Sequence, residues 1–222
     1  MKINNPLQTQ IPQLKQLWQQ AFHEPMDSFL ATAFSPERAL VAEKEGQAVA
    51  ALYWFDLDYQ GRRLAYLYAI ATEQAHQGQG IGKGLLHAAH SHLKALGYAG
   101  TVLVPASESL FAFYKACGYE TEIPGFCRQA VDFVGQQVSW EQYNAFRQTL
   151  LPPGSPMASE AVFRYLATYC QFYIGENACL CAAPGGPCQE LLPHTPTDKP
   201  FALFFPLAEN IPAPTYFSLP ID

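Results

Sequence analysis

The sequence predicts an α/β (α+β) fold: a mixed, mostly antiparallel central sheet flanked by helices, followed by a C-terminal α+β extension. Three observations carry this expectation. Three apolar strand-like runs between residues 39 and 72 are separated by tight-turn dipeptides. A glycine-rich loop then opens a helix. Later the composition shifts, with 12 of the 18 prolines lying after residue 150.

Ile11, Leu14, Leu17 and Trp18 recur at helical spacing, so residues 11–22 are expected to form a helix and residues 25–33 a second, shorter one. Residues 39–43, 47–59 and 62–72 read as strands joined by Glu45-Gly46 and Gln60-Gly61, an antiparallel meander. The helix after the glycine loop runs to about Leu96, with Ile81, Leu85, Ala89 and Leu93 on one face and Gly97 as its stop. Residues 101–104 read as a short buried strand, 107–117 as a helix ended by Gly118, and 128–134 as a last strand. The order over residues 1–135 is therefore helix, helix, three strands, helix, strand, helix, strand. Leu151-Pro152-Pro153-Gly154-Ser155-Pro156 marks a break in residues 136–222. There, 140–150 and 158–171 read as helices, and 178–183 and 201–207 as strands.

The chain has 222 residues, about half of them apolar, enough for a substantial core. Its net charge is -6 and its Lys and Arg residues are few and scattered, so no nucleic-acid footprint is present. The first residues lack the apolar run of a signal peptide, and no stretch approaches a membrane span, so a cytoplasmic protein with no membrane partner is expected. None of the six cysteines forms a C-x-x-C pair, and buried free thiols are expected rather than a metal site. His87, His90 and His92 read as a solvated helix face, because no H-E-x-x-H spacing is present.

The chemistry concentrates in His76-Gln77-Gly78-Gln79-Gly80-Ile81-Gly82-Lys83-Gly84. The first turn of a helix carries unpaired N–H groups and a partial positive charge, and glycines let an anion approach the backbone. A phosphate or pyrophosphate is the expected ligand. The Walker A pattern fails at Gln77 and Gly84, and the dinucleotide pattern G-x-G-x-x-G fails at Lys83 or Leu85. The pattern that fits is [R/Q]-x-x-G-x-[G/A], as Gln77-Gly78-Gln79-Gly80-Ile81-Gly82. Together with the helix segment Leu110 to Tyr119, ending Tyr114-Lys115-Ala116-Cys117-Gly118-Tyr119, it resembles the GNAT N-acetyltransferases over roughly residues 3–133.

The resemblance implies acetyl-CoA as cosubstrate, with the backbone of Gln77, Gly78, Gln79, Gly80, Ile81, Gly82 and Lys83 holding its pyrophosphate. It implies that residues 68–72, including Ile70, Ala71 and Thr72, pair with the pantetheine chain. A main-chain N–H near Ile70 or Ala71 would stabilise the oxyanion, and Tyr114 would protonate the departing thiolate. Glu73 stands where a general base could take the ammonium proton, but also reads as a solvated loop residue; Tyr66 and Tyr68 could position the acceptor or belong to the core. The family's frequent Asn on the loop after the fourth strand is missing, and Ser107 or Ser109 either substitutes for it or caps the helix. The implied activity is acetyl transfer to a primary amine of a small molecule, peptide or protein N-terminus by direct attack in a ternary complex. A non-catalytic acyl-CoA-binding sensor or interaction module is the alternative from another class, and a longer acyl-CoA or a hydroxyl acceptor is a third. On this reading residues 1–135 are the GNAT-like domain. Residues 136–222 are a partial second half or a region that covers the sheet or forms a homodimer.

Overall fold

The computed structural model describes residues 1–127 and 133–221. In chain order its elements are β1 (Lys2–Asn4), α1 (Ile11–Phe22), α2 (Asp27–Thr32), β2 (Ala39–Lys44), β3 (Gln47–Tyr59), β4 (Arg62–Thr72), α3 (Ile81–Ala95), β5 (Gly100–Leu103), α4 (Glu108–Lys115) and β6 (Thr121–Cys127). They continue with β7 (Gln136–Val138), α5 (Trp140–Leu150), β8 (Met157–Ala158), α6 (Glu160–Leu166), β9 (Gln171–Ile174), β10 (Cys179–Ala182), β11 (Cys188–Leu192) and β12 (Thr195–Pro206). The main sheet runs β1-β2-β3-β4-β5-β12-β6, with β8 also paired to β3; a smaller sheet runs β11-β10-β9-β7. Every pairing is antiparallel except β4 with β5.

The meander forms as its turns dictate. Glu45-Gly46 and Gln60-Gly61 all take positive φ, at 53° and 81°, and 54° and 72°, which matches the right-handed twist of the strands they join. Side chains alternate along β3, so Ala51, Tyr53, Phe55 and Leu57 enter the core on one face, and Ala50, Leu52 and Trp54 that on the other. Covered on both faces, β3 reads as an almost unbroken apolar run. Helices α1 and α2 pack on the first face, where Trp18 stacks on Phe29 at 4.9 Å and meets Tyr53 edge-on at 5.7 Å. Helix α3 packs on the second face through Ile81, Leu85, Ala89 and Leu93 and stops at Gly97, whose φ is +80°.

Several expectations change. The strand expected over residues 128–134 lies largely on residues 128–132, outside the described residues, and the strand formed in that region is the earlier β6. Its partner is β12, some 80 positions away, so no local pattern announces it. The helix expected over 158–171 is shorter, because Gln171 begins β9 and is held by β10. His90 is not on a solvated face. It is 7% exposed, its ring stacks on Phe205 at 4.0 Å, and its Nε2 bonds the Tyr119 hydroxyl at 2.9 Å, which in turn meets Thr101 Oγ1 at 2.8 Å. The expected strand over 201–207 forms within β12, and it enters the main sheet between β5 and β6 instead of covering an edge. Cys117, Cys170, Cys179 and Cys181 are buried free thiols.

The C-terminal segment is tied down by a buried ion pair. Arg147 donates to Glu190 through Nε at 2.6 Å and Nη2 at 2.9 Å, and to the Ser218 carbonyl at 2.6 Å. Tyr143 and Ser218 hydroxyls complete the carboxylate's shell at 2.7 and 2.5 Å. Both charges are 0% exposed. Such a pair adds less to net stability than to uniqueness of position, since its Coulomb attraction is set against the desolvation of both ions. The position fixed here is that of Phe217, whose ring lies 5.3 Å from that of Tyr66 on the central strand.

Candidate active site

The site begins where β4 and β5 part. Their parallel ladder joins Leu64, Ala65 and Tyr66 to Gly100, Thr101 and Val102. Beyond it β4 continues to Thr72 while β5 ends at Leu103, and a cavity of about 280 Å³ opens between them. Tyr66, Tyr68, Ala69 and Ile70 line it from β4, Leu103 and Val104 from the β5 side, and Leu110 and Tyr114 from α4. Trp18, Phe22, Glu24 and Ile221 close it from the N-terminal helices and the C-terminus.

Strand β4 carries a bulge at this point. Ala51 pairs with Ala71 and Tyr53 with Tyr68, so the single residue Leu52 faces two, Ala69 and Ile70. Ala69 takes φ +50°, a left-handed conformation that is uncommon for a residue with a Cβ. A bulge leaves one residue's backbone outside the ladder and re-aims the residues after it. The two bulged residues, Ala69 and Ile70, both line the cavity. The sequence pattern predicts an uninterrupted strand over residues 62–72, and the bulge is the departure from it.

The glycine loop continues from the end of β4. Gly78 and Gly80 have φ +73° and +77°, and Gly80 is the N-cap of the 15-residue α3. Gly82 places the first turn of α3 beside the strand end, where a Cβ would stand 3.4 Å from Thr72 Oγ1, an ordinary contact. The Gln77 amide donates to the Thr72 carbonyl at 3.0 Å and the Gln79 amide to the Ala75 carbonyl at 3.1 Å, fixing the loop to its stem. The first turn of α3 contains no acidic residue and carries Lys83, so its unpaired N–H groups face no competing charge. A loop of this shape, with glycine at every second position and no acidic residue in the first turn of its helix, fits a pyrophosphate.

Tyr114 is 7% exposed and packs against Phe113 and Tyr119 at ring distances of 5.2 and 6.0 Å. Among the described residues its hydroxyl has no hydrogen-bond partner. Burial, with a contribution from Cys117, pushes its pKa up to about 12, so the phenol stays protonated. Tyr66 is buried beneath Tyr68, and burial together with Tyr165 raises the Tyr68 hydroxyl well above its ordinary range.

Glu73 is not brought into the cavity. It accepts from His76 Nδ1 at 2.9 Å and lines a separate polar depression of about 340 Å³ with Gln13, Gln16, Gln20 and Gln47. Ser107 holds the N-cap position of α4 but makes no capping bond, its hydroxyl meeting that of Ser109 at 2.9 Å. The residues that sequence reasoning misses are Glu24, Phe22 and Ile221. The first two lie at the end of α1 and just beyond it, where His23 at φ +59° reverses the chain, and nothing local in the sequence directs them to the sheet. Among the described residues no cluster of His, Cys, Asp and Glu is placed to hold a metal ion. None of their helices is long and apolar enough to cross a membrane.

A sheet split around an aromatic cavity, with a glycine loop and helix N-terminus following from the strand that lines it, has the features of a CoA-dependent acyltransferase fold. The model of the acetyltransferase (GNAT) domain family matches residues 2–121, over half of the chain, and the chain belongs to that family. It is an acyltransferase, with acetyl-CoA as its cosubstrate. Similar solved structures agree on the fold. They include a GCN5-related N-acetyltransferase from Kribbella flavida, at TM-score 0.64 and 14% identity over 93% of this chain and 72% of that one. Eis1 from Mycobacterium abscessus aligns at TM-score 0.66 and 12% identity, over 93% of this chain and 74% of that one. A GCN5-related N-acetyltransferase from Anabaena variabilis aligns at 0.62 and 17%, over 86% of this chain and 58% of that one. Comparison with curated protein sequences finds no match.

Proposed function

We propose that the chain is an N-acetyltransferase that moves the acetyl group of acetyl-CoA to a primary amine by direct attack in a ternary complex. The observation that carries this reading is that the bulged residues of β4 and Tyr114 line one cavity, while the same strand runs on into the glycine loop and the N-terminus of α3.

The backbone N–H groups from Gln77 to Lys83 bind the pyrophosphate. Residues 70–72 extend along the pantetheine arm, and Ser107 lies beside it on the facing loop. A main-chain N–H at Ile70 or Ala71 donates to the carbonyl oxygen as negative charge builds there, a role that the bulge supports by taking these residues out of regular pairing. The amine nitrogen attacks the carbonyl carbon, the C–S bond breaks, and Tyr114 gives its proton to the leaving sulfur. A thiolate forming in the same apolar cavity is desolvated too, which raises its basicity alongside that of the phenol. Glu73 lies outside the cavity lining, so it takes the ammonium proton through water, with His76 as its hydrogen-bond partner.

The test is release of free CoA from acetyl-CoA across a panel of amines, with calorimetry for CoA binding. Tyr114→Phe is expected to lower kcat by about 10²-fold or more while leaving CoA affinity unchanged. Equal release by the variant would remove Tyr114 as the acid, and absence of CoA binding would overturn the transferase reading.

A further inference from the structure

The cavity has two unlike ends. At one, Tyr114 and the bulge of β4 face the position of the thioester in the proposed reaction. At the other, the wall is aromatic, made by Trp18, Phe22, Tyr66 and Tyr68, and Glu24 stands among these rings. Among the described residues Glu24 is the one carboxylate in the lining, and no Lys, Arg or His lines the cavity to balance it. Among the described residues it has neither an ion-pair nor a hydrogen-bond partner. Its place is fixed by local structure: α1 ends at Phe22, and the left-handed His23, whose N–H still bonds the Gln19 carbonyl at 3.1 Å, turns the chain back over the sheet.

The packing separates the two ends. Trp18 meets Phe22 at 5.0 Å and Tyr68 at 6.1 Å, and Trp18, Tyr66 and Tyr68 belong to the core on one face of the sheet, whereas Tyr114 packs on Phe113 and Tyr119 and belongs to the core on the other. Glu24, two residues after Phe22, stands with the first group, and its charge contributes to raising the Tyr68 hydroxyl. The amine undergoing attack beside Tyr114 is therefore not the group it meets. An unbalanced carboxylate among aromatic faces is complementary to an organic cation, which gains from both the charge and the ring quadrupoles.

We propose that Glu24 anchors a second cationic group of the acceptor, so that the substrates are diamines or amines carrying another positive charge, acetylated at the nitrogen remote from Glu24. The orientation of the acceptor in this proposal rests on the transferase reading of the site.

The anchor is tested by binding, apart from turnover. The protein saturated with CoA is titrated with N-(aminoalkyl)acetamides of three to six methylenes and with the matching N-alkylacetamides, which lack only the ammonium. The native chain is expected to bind the cationic member of the best pair about tenfold more tightly. Glu24→Gln, a near-isosteric change at an exposed position, is expected to erase that preference and leave CoA affinity and melting temperature unchanged. Equal binding of each pair by the native chain, or a preference that survives Glu24→Gln, would overturn the proposal. A charge preference without CoA release on any amine would instead sink the transferase reading and leave the anchor standing. If CoA does not bind, the same titration on the protein alone decides the anchor.

Discussion

Tyr114 and His90 belong to the same packed face of the sheet, linked through Tyr119, and burial acts on them in opposite directions for one reason. Loss of water penalises the charged form, so the phenol is pushed up to about 12 and the imidazole down to about 4. For His90 this has a consequence for stability. Its folded pKa lies below the ordinary 6.5, so between these values the unfolded chain binds a proton that the folded chain refuses. Its contribution is complete above about pH 6.5 and is lost as pH falls towards 4, amounting at most to about 3 kcal/mol. Urea unfolding at pH 7.5 and 4.5, compared between the native chain and His90→Gln, isolates it from the carboxylates. The native chain is expected to lose more stability on acidification than the variant, and equal losses would show that His90 is protonated without resistance. His87, three residues earlier, is exposed, and spacing alone does not tell the two histidines apart.

At the scale of the element, β4 is a strand interrupted at the point where the proposed reaction needs main-chain donors. The left-handed Ala69 is held there by paired neighbours on both sides, Tyr68 with Tyr53 and Ala71 with Ala51. A β-branched residue at positive φ is strained more than alanine, so Ala69→Val is expected to cost about 1–2 kcal/mol of stability. It is also expected to slow turnover at least tenfold by shifting the N–H groups at residues 70 and 71. Ala69→Gly should keep both properties near native levels. Thermal melts and kcat measured on the two variants check this, and equal behaviour would mean the bulge tolerates repacking. The bulge also marks the limit of what the sequence discloses. The glycine loop, the helix it opens and Tyr114 near the end of α4 are legible because each is a local pattern whose spacing carries its geometry. An alanine in the left-handed region leaves no such trace, since Gly or Asn is the usual signal of that conformation. Glu24 and Ile221 reach the cavity only through tertiary packing. The pairing of β6 with β12 spans a distance along the chain that no periodicity crosses.

The two parts of the molecule that composition separates near residue 135 share one sheet. β12 bonds β5 through Leu203, Phe204, Phe205 and Pro206 and bonds β6 on its other side. The C-terminal part also supplies Phe163, Tyr165, Phe204 and Phe217 to the core that holds Trp18 and Phe29. Gly100 has no room for a Cβ, which would come within 2.6 Å of Phe204, so β5 is shaped to the strand beside it. A chain ending at Gly135 would therefore leave β5 as a bare edge, strip β6 of its strand partner and uncover the part of the aromatic core that Phe163, Tyr165, Phe204 and Phe217 fill, conditions that favour aggregation over folding. Residues 1–135 alone are expected to show no cooperative melt and no CoA binding, even though the glycine loop and Tyr114 are both present. Circular dichroism on heating and calorimetry with CoA test this. A cooperative transition with native CoA affinity would establish that the first 135 residues fold by themselves and that β12 is an addition to a finished sheet. The expected failure would place the cause in β5, because that strand forms one wall of the cavity and β12 is its antiparallel neighbour.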